Sequence, residues 1–361
     1  MKQISAYFKQ MKTVTKIDYA TYAGVVLVFA IVLACQSAGL LNRSITGMLV
    51  PICCYVCMAV SLNLTVGILG ELSLGHAGFM SVGAFSGVVA SMSLGFTGAG
   101  DVVRLILALV VGAAMAALAG VIVGVPVLRL RGDYLAIVTL AFGEIIKELL
   151  NCLLVGFDEN GLHILFNYDG SRVVSDLGLT ENGVEIIKGA QGVAGNQRLA
   201  TFTAGFVLVM ITLVVVLNLV RSRTGRAVMA IRDNRLAAES VGINVTKYKL
   251  IAFVVSAALA GAAGALYGLN LSSLSPTAFD FNASILILVY VVLGGLGNIW
   301  GSVVATIVLY VLPEALREFD NLRMLVYAIV LILVMLATHN QRLRALLGKL
   351  IPKRKGAAAH G

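Results

Sequence analysis

Apolar residues in this chain neither alternate with polar ones nor recur in a narrow stripe; they run in continuous blocks separated by short polar stretches. Ten blocks can be drawn, at 19–39, 44–66, 76–95, 103–128, 134–156, 201–220, 249–271, 282–297, 299–316 and 322–339. About 20 apolar residues wound as helix cross the roughly 30 Å hydrocarbon core of a bilayer, so the pattern predicts about ten transmembrane segments. Glycine clusters break the blocks near 67–95 and 282–316, and half-helices there would lower the number of full spans to eight. A β-barrel is excluded, because its strands alternate apolar and polar positions over about ten residues. The expected fold is all-α, a polytopic helical membrane protein.

Two polar stretches are longer than connections need to be. Arg221 to Lys249 holds seven Lys or Arg against two acids. Ser222, Thr224 and Gly225 can end one helix and start another, Arg226 to Ser240 contains no Pro or Gly, and Gly242 suits the left-handed close of a helix. A short surface helix is predicted there. Gly156 to Ala200 holds six acids against three basic residues, with turn signals at Asn160-Gly161, Asp169-Gly170 and Asn182-Gly183. A small hairpin or a short helix facing a soluble partner is expected.

Composition sharpens the membrane assignment and fixes the orientation. The 361 residues are 59% apolar and only 12% charged, with mean hydropathy +0.95, about half the charge that a soluble surface carries. The net charge of +9 is concentrated in Lys2, Lys9, Lys12 and Lys16, in Arg129 and Arg131, in the 221–249 stretch and in the tail from Arg342 to Lys355. With helices alternating in direction, all four regions fall on one side, the positive-inside signature of the cytoplasm. Nucleic acid binding is thereby set aside. Both termini are expected inside, 157–200 outside and 221–248 inside. The first block is taken as a retained span, although Ala34-Cys35 faintly resembles a lipoprotein cleavage site. Cys35, Cys53, Cys54, Cys57 and Cys152 lie in or beside apolar blocks and are expected to pack as small apolar residues. Cys54-x-x-Cys57 has no companion pair or histidine to make a metal site.

Candidate chemistry is sparse. In Asn63 to Phe79, glycines 67, 70, 75 and 78 permit close approach and local unwinding, while Asn63, Thr65, Glu71, Ser73 and His76 supply polar groups at membrane depth. Such groups mark candidate solute pathways; alternatively Glu71 caps a half-helix and His76 bonds a neighbouring backbone. In the stretch from Arg129 to Glu148, Gly132 and Asp133 predict a turn and helix start, and Glu144 can pair with Lys147 on one face. The small-residue stretches Gly112 to Gly124 and Ala257 to Gly268 predict tightly packed helices. Val66 to Gly78 and Val292 to Gly301 are both apolar and glycine-broken, as duplicated halves of a transport pathway would be. No phosphate-binding Gly-x-x-x-x-Gly-Lys-Ser/Thr loop, His-Glu-x-x-His or Ser/His/Asp set is present. The chain is therefore expected to be neither an ATPase nor another enzyme.

Four ordered motifs carry a resemblance. Leu72 to Phe79 (LSLGHAGF), Leu130 to Glu144 (LRGDYLAIVTLAFGE), Gly225 to Asp233 (GRAVMAIRD) and Val292 to Asn298 (VLGGLGN) resemble the branched-chain amino acid ABC transporter permeases. The similarity covers roughly residues 45 to 340 and is closest to the second of that system's two permeases. It implies a multi-pass subunit of the bacterial inner membrane, with a permease domain at 19–340 between a basic N-terminus (1–18) and a basic tail (341–361). It further implies a second homologous permease, two cytoplasmic ATPase subunits that hydrolyse the ATP, and a periplasmic substrate-binding protein; no cofactor belongs to this chain. Importer permeases carry a cytoplasmic Glu-Ala-Ala-x-x-x-Gly pattern on their coupling helix. Here Ala237, Ala238 and Gly242 match it, Leu236 stands at the Glu position, and Glu239 lies nearby. Arg232, Asn234, Arg235 and Ile243 complete the implied ATPase-coupling set. The rival readings are an ion-coupled secondary transporter or exporter of small polar solutes, and a membrane enzyme or scaffold.

Overall fold

The computed structural model describes residues 13–38, 42–96, 100–128, 133–158, 161–167 and 183–316, with isolated positions at 98, 325, 328, 329 and 332. Residues 1–306 form one compact unit and 307–361 a second. The predicted block 322–339, the extreme N-terminus and basic tail, and the Arg129–Gly132 turn lie outside the described residues, apart from those isolated positions.

With the block 134–156 the partial exception, each predicted apolar block up to residue 316 lies wholly or mainly on a helix among the described residues. These are α1 (Thr13–Ser37), α2 (Arg43–Asn63), α3 (His76–Phe96), α4 (Asp101–Val127), α5 (Asp133–Asn151), α6 (Phe202–Arg221), α9 (Val245–Asn270), α10 (Phe281–Gly294) and α11 (Ile299–Ala315), with α7 (Arg223–Asp233) and α8 (Arg235–Ser240) between α6 and α9. Five stretches among the described residues are long and apolar enough to cross a membrane: Ile45–Leu69, His76–Gly95, Asp101–Val127, Phe202–Arg221 and Val245–Asn270. Tyr22–Gln36, α10 and α11 are apolar but shorter. The chain is thus mostly helical and built for repeated passage through a bilayer.

The all-α expectation needs one amendment. The block 134–156 ceases to be helical at Asn151, and Leu153–Asp158 becomes strand β1, pairing antiparallel with β2 (Gly161–Phe166) and β3 (Val184–Lys188) in the order β2-β1-β3. The hairpin between β1 and β2 closes beyond the pair Asp158 and Gly161, and the predicted Asn160 of its turn lies outside the described residues. Leu154 and Val155 of β1 are buried, as are Ile186 and Ile187 of β3. Pairing with a neighbour is an alternative to helix that an apolar run by itself does not reveal. A second, two-stranded pair joins β4 (Val193–Ala194) to β5 (Ser273–Leu274).

The core of the first unit is the mutual packing of α3, α4 and α9. Gly83, Gly112 and Gly261 bring the three backbones together: a methyl group on Gly112 would stand 2.8 Å from the Gly83 carbonyl, and one on Gly261 would meet the Gly112 carbonyl at 2.5 Å. Gly120 lies as tightly against Ala257, and Gly264 against the backbone of Met80. Small residues serve this purpose in lipid, where helices associate by close contact rather than by escape from water. Cys53, Cys54 and Cys57 are buried as free thiols on α2, with Cys53 against Gly205 of α6.

Candidate functional site

The α2 helix does not simply stop at Asn63. It widens into a π-turn over Leu64–Leu69, in which the Gly70 N–H reaches back to the Thr65 carbonyl, and Gly70 then leaves in the left-handed region at φ 79°. Residues 70 to 75 run without helix before α3 starts at His76. Glycine is required twice here. A side chain on Gly67 would overlap Asn63 Oδ1 and the backbone of Gly297, and one on Gly70 would stand 2.7 Å from Cγ of Arg232. A π-turn inside a membrane-length helix leaves carbonyls without the regular ladder, so other elements must supply donors.

They do so from four directions. Asn63 accepts from the Gly297 N–H at 2.8 Å and donates to Ser302 Oγ at 2.9 Å, which ties the turn to the loop between α10 and α11. Thr65 donates to Ser256 Oγ of α9 at 2.9 Å, and Ser256 donates to the Ser61 carbonyl at 2.5 Å. Arg232 of α7 donates to the Gly67 carbonyl at 2.9 Å. The Glu71 carboxylate pairs with the ammonium of Lys249 in the first turns of α9, with only 14% and 5% of the two side chains exposed. His76 is buried and shares a 2.8 Å hydrogen bond with Ser61 Oγ. Ser73 Oγ is buried with no hydrogen-bond partner among the described residues.

Asn63, Thr65, Glu71 and His76 are therefore gathered around one break, each bonded to another part of the chain. The two glycine-broken stretches singled out in the sequence also meet there, Gly67 against Gly297. They are built differently: the first is a π-turn followed by chain without regular structure, the second a helix end with Gly295 and Gly297 at φ 94° and 81°. Lys249, Ser256 and Ser302 were not visible as partners in the sequence. Lys249 had one usable signal, a lone cation just inside an apolar block that needs a buried acid to offset it.

The basic segment folds as two short helices instead of one. Ser222 ends α6 and caps α7, accepting from the Gly225 N–H at 3.2 Å. Asn234 is extended at φ −155° and its side chain accepts from the Ala237 N–H at 3.1 Å, so α8 has its own cap. A capping asparagine competes with helix continuation, which is why the break falls there. The close at Gly242 is as expected, with φ 84°, its N–H donating to the Glu239 carbonyl and Ile243 N–H to that of Ala238.

Within this segment the small residues divide. Ala238 packs inward with Ile231, Val245, Ile243 and Tyr248, while Ala237 is exposed. Leu236 and Val241 are 76% and 75% exposed. Arg235 pairs with Glu239 at 2.9 Å along α8, and Arg232 also touches Asp233 at 3.3 Å.

A separate cleft lies between the start of α3, α5 and the start of α10, lined by Leu74, Gly143, Glu144, Phe279, Asp280 and Ser284. Lys147 pairs with Glu144, as their spacing predicted, and also reaches Glu148 at 3.7 Å. Asp280 caps α10, accepting from the Ala283 N–H at 3.0 Å.

The family described as the permease component of branched-chain amino acid transport systems matches residues 44–335. The high-affinity branched-chain amino acid transport system permease protein LivM of Escherichia coli K12 is 34% identical over 322 residues, covering 86% of this chain and 72% of that protein. LivM of Salmonella typhimurium LT2 is 36% identical over 292 residues, 78% of this chain and 66% of the relative. The ribose import permease protein RbsC of Escherichia coli K12 is 29% identical over 294 residues, 79% and 82% of the two chains. No solved structure matches.

Proposed function

Because the chain belongs to the family of permease components of branched-chain amino acid transport systems, we propose that it is the transmembrane permease subunit of an ABC importer for branched-chain or related small amino acids. It forms the translocation pathway with a second homologous permease, receives substrate from a periplasmic binding protein, and is driven by two cytoplasmic ATPase subunits that bind and hydrolyse the ATP. It crosses the bacterial inner membrane several times, with both termini and residues 221–248 in the cytoplasm and 157–200 in the periplasm. Substrate moves along the face shared with the second permease, past the polar groups of the break: Asn63, Thr65, Glu71, Ser73 and His76.

The observation that carries this reading is the construction of α7 and α8. One side of the pair is fixed to α9 through Ile231, Ala238 and Val245, while Leu236 and Val241 project outward. Two large apolar side chains held out by capped helices in a basic, polar segment suit a surface covered by another protein. Arg235, Ala237 and Glu239 on the same short helix, with Arg232, Asn234, Gly242 and Ile243 fixing its ends, make up the proposed ATPase-docking segment.

The test is co-purification from membranes. The tagged chain is expected to bring down a second permease and the ATPases, and Leu236→Asp with Val241→Asp is expected to release the ATPases at least tenfold while the second permease stays bound. Proteoliposome uptake of leucine is expected to need internal ATP and the binding protein. Uptake by this chain alone, driven by an ion gradient, overturns the reading and favours a secondary transporter.

A further inference from the structure

The contacts around the break join the ATPase-docking segment directly to the interrupted helix. We propose that the π-turn Leu64–Leu69 is the transmission element of the subunit, and that Arg232 and the Glu71–Lys249 pair are the positioning residues that connect it to α7 and α9. The proposal rests on the reading of α7 and α8 as the segment that meets the ATPase.

Two links run in parallel. The first is immediate: the guanidinium of Arg232 holds the Gly67 carbonyl and its aliphatic stem covers Gly70, so α7 grips the turn by a hydrogen bond and by packing. The second passes through α9. Val245 packs against Ile231 and Ala238 of the docking segment, and Lys249, one helical turn further on, pairs with Glu71 just beyond Gly70. Any displacement of α7 and α8 therefore acts on both ends of the sequence Gly67 to Glu71. On the far side of the turn, Asn63 and Thr65 are tied to the α10–α11 loop and to α9 by side-chain hydrogen bonds.

A transmission element needs two discrete arrangements, and a π-turn within an otherwise α-helical segment is able to supply them by resetting to α-helix. A π-turn holds one more residue per hydrogen-bonded ring than an α-turn. Resetting it to α-helix draws the chain along by one residue and rotates the residues beyond it by about 100°, the step of a 3.6-residue helix. Glu71 and Ser73 come directly after the turn, so the reset would redirect these polar side chains toward or away from the pathway. Coupling between distant sites requires a two-state element biased by both. The π-turn is biased by Arg232 and Lys249 on one side and by the pathway groups on the other.

The measured quantity is leucine taken up per ATP hydrolysed, in proteoliposomes containing complexes that retain both ATPase subunits. Arg232→Ala and Glu71→Gln are each expected to lower this ratio at least tenfold. The charge exchange Glu71→Lys with Lys249→Glu is expected to restore it to within threefold of the parent, and Arg232→Lys to recover part of it. A role in folding alone would lower uptake and hydrolysis together and leave the ratio unchanged, which overturns the proposal, as does failure of the charge exchange to rescue. If Leu236→Asp with Val241→Asp leaves ATPase binding intact, the docking reading and the transmission proposal both fall. An unchanged ratio in Arg232→Ala removes the transmission proposal alone.

Discussion

Glycine brings backbones together in two regions of this molecule, with opposite consequences. Where α3, α4 and α9 meet, Gly83, Gly112 and Gly261 lie inside uninterrupted helices whose hydrogen bonds run along their own axes. Around Gly67, Gly70 and Gly297 the helices are broken, and backbone groups depend on side chains from other elements, Arg232 and Asn63 among them. The first arrangement fixes the distance between helices and leaves nothing to rearrange. The second is held by side chains from distant parts of the chain, so the same residue type makes a scaffold in one place and, under the proposed transmission, a movable joint in the other.

That contrast can be broken most severely in the scaffold. Gly261→Leu drives a side chain into Ala116 and the Gly112 carbonyl; overpacking of this kind costs about 1–3 kcal/mol and often more. Little or no monodisperse chain is expected by size-exclusion chromatography in detergent, and normal recovery would show that the three helices can separate. A smaller effect on folding is expected at the joint. Asn63→Leu strips a partner from the exposed Gly297 N–H and from the buried Ser302, which keeps its bond to the Asn298 carbonyl, at roughly 0.5–1.5 kcal/mol for each hydrogen bond lost. The chain should be recovered with a lowered thermal midpoint and strongly reduced uptake; unchanged uptake would remove Asn63 from the pathway. The smallest change is expected on the exposed face of α8. Arg235→Ala removes an i,i+4 pair worth about 0.2–0.5 kcal/mol, so the thermal midpoint should stay within a degree or two. A larger fall would mean that the pair supports more than its own helix.

Much of the architecture was legible because bilayer length and continuous apolarity are properties of single segments. Among the described residues the predicted blocks fell mainly on helices, Ser222 and Gly242 marked real helix ends, and the small-residue stretches proved to be close contacts. The strand at Leu153–Asp158 was not legible, since an apolar run is strand or helix according to what lies beside it, and its partner β3 comes from Val184–Lys188, well downstream. The split of the basic segment was written in Asn234, whose capping chemistry competes with a helix otherwise free of Gly and Pro.

The candidate site divides along the same line. Asn63, Thr65, Glu71 and His76 stood out because polar groups at membrane depth are costly, and that cost can be read from one residue and its neighbours. Their partners could not be read. Ser256, Ser302, Gly297, Arg232 and Lys249 are separated from the groups they bond by 165 to 239 positions along the chain, and only Ser61, beside His76, is near in sequence. The sequence alone determined that this chain resembles a helical membrane permease with a long basic segment and a helix broken by glycine, because periodicity, charge bias and local motifs are short-range properties. Only the tertiary structure decided that the break and the basic segment touch. Packing α9 against both brings Lys249 to Glu71 and Arg232 to Gly67, and such long-range contacts arise from the assembled core.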